Sequence, residues 1–298
     1  MLKIVTRDGH KLNEKIPTFD YYGIHFMKFK PSKYVVKHIT ENMCTAKGNS
    51  TDPDDILKFI NTYDVDWEHA IACKSDTLDQ CVKRYRTLND FFIRKIPVTV
   101  YQKTNDKILT SPATCRTTLF ANCTNAKKFW VKGTEFNISN LLQQNKDRYF
   151  VHSNILISRL APVDYHRFHS PVGGTFVKKI IIPGSYYSVN PMLVNSETNV
   201  FTENSRVVYY IDTVYFGTIA IVIVGATCVS SIFLHEKKQH ESIEKGEELG
   251  YFKFGGSTLI TIIPPNEKIV FDSRLLEHSR EKTETYLNVG DYINVDYV

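Results

Sequence analysis

A serine preceded by two glycines, and a pair of histidines three residues apart, are the places where this sequence could do chemistry. The serine lies in Phe254-Gly255-Gly256-Ser257-Thr258-Leu259, ahead of an apolar run. A tight turn leading into a strand would account for it. A hydrolase nucleophile elbow, G-x-S-x-G, would not, because Leu259 stands where its last glycine belongs. Self-cleavage would also account for it. A serine hydroxyl can attack the carbonyl of the residue before it, turning that amide into an ester. Glycine at that position lets the backbone bend and leaves the carbonyl open to attack. Elimination from the ester leaves dehydroalanine, which hydrolyses to a pyruvoyl group at the new N-terminus. Such a group is a ketone electrophile that condenses with amines and accepts electrons, the work that pyridoxal phosphate does elsewhere.

The histidines lie in Leu160-Ala161-Pro162-Val163-Asp164-Tyr165-His166-Arg167-Phe168-His169-Ser170-Pro171. Polar core or surface histidines would read the same way. A metal site has little support: no further His or Cys stands at ligand spacing, and His235-Glu236 with His240 misses H-E-x-x-H by one residue. A histidine is a natural base for deprotonating Ser257, and a natural donor of a proton to a carbanion left by decarboxylation.

These residues need elements to position them. Asp52-Pro53-Asp54-Asp55 predicts a helix start, with Ile56, Phe59 and Ile60 at apolar helical spacing. A second helical stretch is expected over Leu78–Leu88. From about Ile108 the chain turns to short β-branched runs: Tyr149–Ile157, Thr175–Ile182, Val207–Ile211, Thr218–Val224 and Thr258–Ile263. The expected fold class is α+β, with a helical N-terminal region (1–85) followed by a β-rich, mainly antiparallel body (86–298). The uncharged run Thr213–Leu234 has the length of a membrane span. Its Val, Ile, Thr and Tyr content, broken by Gly217 and Gly225, predicts two buried strands instead.

Bulk composition narrows the class further. Of 298 residues, 42% are hydrophobic and 23% charged, which excludes a disordered chain. The net charge of +5 comes without a long Lys/Arg run, so nucleic acid is not an expected partner. Six scattered cysteines without C-x-x-C predict free thiols in a reducing compartment. The first thirty residues are broken by charges and lack the apolar core of a signal peptide.

Taken together, the blocks resemble the phosphatidylserine decarboxylase family. The stretch from Lys245 to Asn288, with Gly-Gly-Ser-Thr at its centre, is similar to the family's C-terminal signature, and Ala161–Gly174 to its second. Asn89-Asp90-Phe91-Phe92-Ile93-Arg94, Ser188-Val189-Asn190-Pro191, Glu203-Asn204-Ser205-Arg206 and Val224-Gly225-Ala226-Thr227 add to the likeness, which spans roughly residues 85 to 290.

The resemblance implies a cut between Gly256 and Ser257 into a β chain (1–256) and an α chain (257–298). Ser257 would become the pyruvoyl group, with no metal and no external cofactor. His169 would support self-cleavage and His166 would assist decarboxylation of phosphatidylserine to phosphatidylethanolamine. The implied setting is intracellular, with peripheral association to the membrane that holds the substrate. The N-terminal region is the candidate for that contact, and a homodimer is admitted.

One position departs from the pattern. The family's Pro-Ala-Asp-Gly stretch reads Pro112-Ala113-Thr114-Cys115 here, with Thr114 in place of the aspartate that orients the cleavage histidine. Loss of such an acid from a serine-protease triad costs ~10⁴-fold in rate. Three outcomes stay open: another acid substitutes, Asp106 and Asp164 being the nearest; cleavage is slow; or the chain is a non-cleaving, catalytically silent module that binds phospholipid or a partner.

Overall fold

A computed structural model of the chain describes residues 3–14, 45–121, 138–143, 148–185, 187, 200–225, 232–254 and 257–298. Gly255, Gly256, the block 188–191, and Cys44, Cys123 and Cys228 lie outside the described residues.

The β-branched runs form strands. In chain order these are β1 (Lys3–Val5), β2 (Lys11–Leu12), β3 (Cys115–Phe120), β4 (Asn154–Leu160), β5 (Arg167–His169), β6 (Gly174–Ile182), β7 (Arg206–Thr213) and β8 (Gly217–Gly225). They continue with β9 (Ile232–Leu234), β10 (Ser242–Ile243), β11 (Glu248–Phe252), β12 (Ser257–Ile263), β13 (Ile269–Phe271), β14 (Thr283–Leu287) and β15 (Asn294–Tyr297). One ten-stranded sheet runs β10-β6-β7-β8-β12-β4-β3-β14-β1-β2, and a three-stranded sheet runs β5-β11-β9. Every pairing is antiparallel except that of β1 with β14.

The central strands read as continuous apolar runs because both faces of the sheet are covered. Side chains alternate between the faces. Ala220, Val222, Val224, Ile260 and Ile262 enter one core, while Ile219, Ile221, Ile223, Leu259 and Ile263 enter the other. Phe168, Leu249 and Phe252 of the small sheet close over the second core. Within the run Thr213–Leu234 the described residues are the end of β7, the turn into β8, β8 itself and β9; residues 226–231 lie outside the described residues. Among the described residues no helix is long and apolar enough to cross a membrane.

The helical N-terminal region is found in part. The expected helix is α1 (Pro53–Tyr63), with the Asp52 side chain accepting from the Asp54 N–H and Ile56, Phe59 and Ile60 buried. The second expected helix is two short ones, α2 (Leu78–Val82) and α3 (Leu88–Phe92), each opened by a threonine capping box. A short cap at Thr87 can start a new helix there, which is why the stretch divides. Lys3–Val5 and Lys11–Leu12 correct the expectation: they are strands joined by a turn. Ile4 and Val5 are buried, and β1 gains its backbone partners from β14, some 280 residues away, which no local pattern reveals.

The free-thiol expectation is also corrected for one pair. Cys73 and Cys81 form a disulfide, because the turn at 71–73 folds back on α2 and brings their Cα atoms to 4.9 Å. Cys115 is a buried free thiol.

Candidate active site

Ser257 is the first residue of β12 and is fully buried. It pairs with Leu160 of β4 on one side and Gly225 of β8 on the other. By alternation its side chain shares the face of Leu259 and Ile263, the face that the small sheet covers. Its Oγ has no hydrogen-bond partner among the described residues.

The register brings the histidine block to the same place. The chain leaves β4 at Leu160, opposite Ser257, and passes through residues 161–166 into β5. The segment ahead of Ser257 leaves β11, and β11 pairs with β5: Glu248 opposes His169, Gly250 opposes Phe168 and Tyr251 opposes Arg167. The Phe252 N–H donates to the His166 carbonyl at 3.0 Å. Two adjacent connections thus join the small sheet to the large one. One carries His166; the other carries the Gly256–Ser257 bond.

Each histidine has a defined setting. The Nδ1 of His169 lies 2.9 Å from the Gly246 carbonyl, which can only accept, so Nδ1 carries the proton. The Nε2 is then an acceptor, 3.1 Å from the Tyr165 hydroxyl. Gly246 has φ +80°, and a Cβ there would sit 2.4 Å from Val100, so only glycine presents this carbonyl without strain. Burial lowers the pKa of His169 below the ordinary histidine value and favours the neutral ring. Burial raises the Tyr165 phenol well above its usual range, so it keeps its proton and donates. His166 is fully buried, donates from Nδ1 to the Asp164 carbonyl at 2.8 Å, and packs on Phe92 with ring centroids 3.9 Å apart.

Among the described residues no carboxylate hydrogen-bonds His169. Thr114 is buried, and its hydroxyl accepts from the Val289 N–H at 3.3 Å. The Asp164 carboxylate is engaged by Arg116 and by the Ala161 N–H, 2.7 Å away. Asp164 therefore meets His166 through its main chain, not its acid. Asp106 lies near Gly173 and lines a different cleft from that of Thr114 and Tyr165.

The block Asn89–Arg94 surrounds both connections. The Asn89 side chain accepts from the Phe254 N–H at 2.8 Å, and the Phe254 ring stands 5.3 Å from Phe92. The Ile93 carbonyl accepts from Arg167 at 2.7 Å, and the Val163 carbonyl accepts from Arg94 at 3.2 Å. A cleft of about 740 Å³ opens beside them, lined by Arg94, Thr114, Val163, Asp164 and Tyr165 among others. Sequence reasoning noted Tyr165 and Asn89 within their blocks but gave them no task. The four-residue offset between Tyr165 and His169 was the available signal. Gly246 left none, since any residue has a carbonyl.

A family model described as phosphatidylserine decarboxylase matches residues 88–284. The phosphatidylserine decarboxylase proenzyme 2 of Saccharomyces cerevisiae is 47% identical over 228 residues, covering 75% of this chain and 20% of the yeast protein. The proenzyme 3 of Schizosaccharomyces pombe is 39% identical over 283 residues, covering 92% of this chain and 28% of its own length. The proenzyme of Clostridium novyi is 33% identical over 273 residues, covering 91% of this chain and 88% of the clostridial one. The chain thus spans 20% and 28% of the length of these two fungal relatives and most of the bacterial one.

Proposed function

Because the chain belongs to the phosphatidylserine decarboxylase family, we propose that it cuts itself between Gly256 and Ser257 and then decarboxylates phosphatidylserine to phosphatidylethanolamine. The observation that carries this is the register at Ser257: a buried hydroxyl at the head of a strand, beside the connection that bears His166 and leads to His169.

His169, neutral, is the base assigned to the Ser257 Oγ proton; its Nε2 accepts from the Tyr165 hydroxyl in the uncut chain, so Tyr165 must release that lone pair first. The freed oxygen attacks the Gly256 carbonyl, and the C–N bond breaks as the proton passes to the leaving amine. Loss of the Ser257 Cα proton then expels the Gly256 carboxylate, and hydrolysis of the resulting enamine releases ammonia. The Gly246 carbonyl does for His169 what an aspartate does in the family pattern: it keeps Nδ1 protonated and so fixes the tautomer. It supplies no negative charge, so the account predicts slow but complete cutting with Thr114 in place.

Ser257 suits a pyruvoyl group, since its side chain faces a closed core and engages no described partner. When formed, that group supplies an electrophilic carbonyl for the substrate amine and a sink for the electrons left by carbon dioxide. His166 is assigned the reprotonation: with Nδ1 donating to the Asp164 carbonyl, Nε2 is the nitrogen that takes up a proton and passes it to the carbon that lost its carboxylate. Residues 257–298 supply β12, between β8 and β4, and β14, between β3 and β1. A cut before Ser257 leaves the two pieces interleaved. Glu284 in one piece also pairs with Arg159 in the other at 2.6 Å.

The substrate resides in a bilayer, so we place the protein at an intracellular membrane surface, peripherally bound. Sedimentation with phosphatidylserine vesicles tests that placement. Release of carbon dioxide from carboxyl-labelled phosphatidylserine, absent in the Ser257→Ala variant, tests the activity.

A further inference from the structure

Arg94 is the unexplained cation of this site. It is 4% exposed, yet among the described residues Nε and Nη1 have no hydrogen-bond partner; Nη2 donates to the Val163 carbonyl at 3.2 Å, and the guanidinium lies 5.0 Å from the centre of the Phe91 ring. A buried guanidinium with two unpaired nitrogens is costly unless an anion pairs with it. Burial lowers its pKa to about 10, so the charge is held at a penalty that an anion would relieve. The side chain lines the 740 Å³ cleft together with Val163, Asp164 and Tyr165. Nearby carboxylates do not fill the vacancy in its bonding: Asp164 is engaged by Arg116, Asp66 by His69 and Glu14 by Arg159.

We propose that Arg94 binds the phosphodiester of the phospholipid head group, holding the substrate with its amine toward Ser257. The proposal rests on the decarboxylase function inferred above. A zwitterionic amino-phospholipid offers Arg94 two oxyanions, the phosphodiester and the carboxylate. The carboxylate is the poorer partner, because a guanidinium paired with it would stabilise the ground state from which carbon dioxide must leave. The phosphodiester keeps its charge throughout the reaction, so binding it costs the chemical step nothing. The position agrees: Arg94 is two residues beyond Phe92, which packs on His166, and is bonded to the main chain three residues before His166.

The test uses the full chain carrying Ser257→Ala, so that binding is read without cutting or turnover. Calorimetry with glycerophosphoethanolamine, which has the phosphodiester and no carboxylate, is compared with L-serine, which has the carboxylate alone. Adding Arg94→Met should weaken glycerophosphoethanolamine at least tenfold and leave serine unchanged; Arg94→Lys should weaken it several-fold. Equal affinity in the Arg94 variants, no binding of glycerophosphoethanolamine, or a loss confined to serine overturns the proposal. If Arg94→Met does not fold, Arg94→Lys decides by the same criterion. Intact masses of the Arg94 variants with Ser257 restored report self-cutting separately, so a failure of the decarboxylase function is seen on its own.

Discussion

The ten-stranded sheet and the helices of residues 45–92 meet at Phe254, yet different physics holds each of them. In the sheet, β12 is paired along its length with β4 and β8 and buried on both faces. Backbone ladders carry that order, and single side chains matter less. The helical cap is made of short pieces. Helices of this length are marginal alone. They are held by caps at Asp52, Thr77 and Thr87, by the Cys73–Cys81 bond, and by the cluster of Phe59, Phe91, Phe92 and Phe254. The difference assigns tasks. The sheet fixes where Ser257 is, whereas the cap and residues 161–169 fix what surrounds it. Damage to the sheet should cost the fold; damage around the cap should cost the chemistry first.

The largest expected effect is on the chemistry. His169→Ala should slow self-cutting by about 10²–10⁴-fold, the usual worth of a positioned base, with little change in thermal melting. A mass time course checks this, and cutting at the wild-type rate would remove His169 from the mechanism. Next come two stability changes in different locations. Phe59→Ala should cost about 3–5 kcal/mol in the cap. Glu284→Gln, which removes one of the two carboxylates on the buried Arg159 and leaves Glu14, should cost about 1–3 kcal/mol in the sheet. Hydrogen exchange distinguishes them: the first should loosen α1 to α3 and leave β12 protected, the second should deprotect β4 and β14. If Phe59→Ala unfolds both regions together, the division between cap and sheet is wrong.

Smaller effects sharpen the account of His169. Tyr165→Phe removes one hydrogen bond, worth about 1 kcal/mol, and frees the His169 Nε2 lone pair, so cutting should quicken by roughly tenfold or less. The His169 pKa is lower in the folded protein than in the unfolded chain, so the unfolded state binds more protons in the window below the ordinary histidine value. Its contribution to stability is full above about pH 6.5 and declines as the pH falls below that. The base form also survives to lower pH than an ordinary histidine, so the cutting rate should fall with a midpoint below about 6.5. A midpoint above that value would contradict the burial of a neutral ring.

Much of the sheet was legible in the sequence because its strands are buried on both faces and read as β-branched runs. Four of the five expected strands lie within a residue or two of their observed ends; the run beginning at Tyr149 starts later, since residues 148–150 form a 3-10 turn and β4 begins at Asn154. Arg167–His169 and Glu248–Phe252 carry too few β-branched residues to stand out, so the small sheet that carries His169 was not visible. Ser257, His166 and His169 were legible as residue types. Their partners were not: the carbonyls of Gly246 and Asp164 come from the backbone, and a carbonyl has no letter of its own. The search for a replacement acid looked for a side chain where the structure uses main-chain oxygens.

The most direct test of the central claim is the intact mass of the purified chain under denaturing conditions, beside that of Ser257→Ala. The account predicts two pieces, residues 1–256 and residues 257–298, the smaller blocked at its N-terminus by a carbonyl group, and one uncut chain in the variant. A single uncut chain in both samples would contradict it.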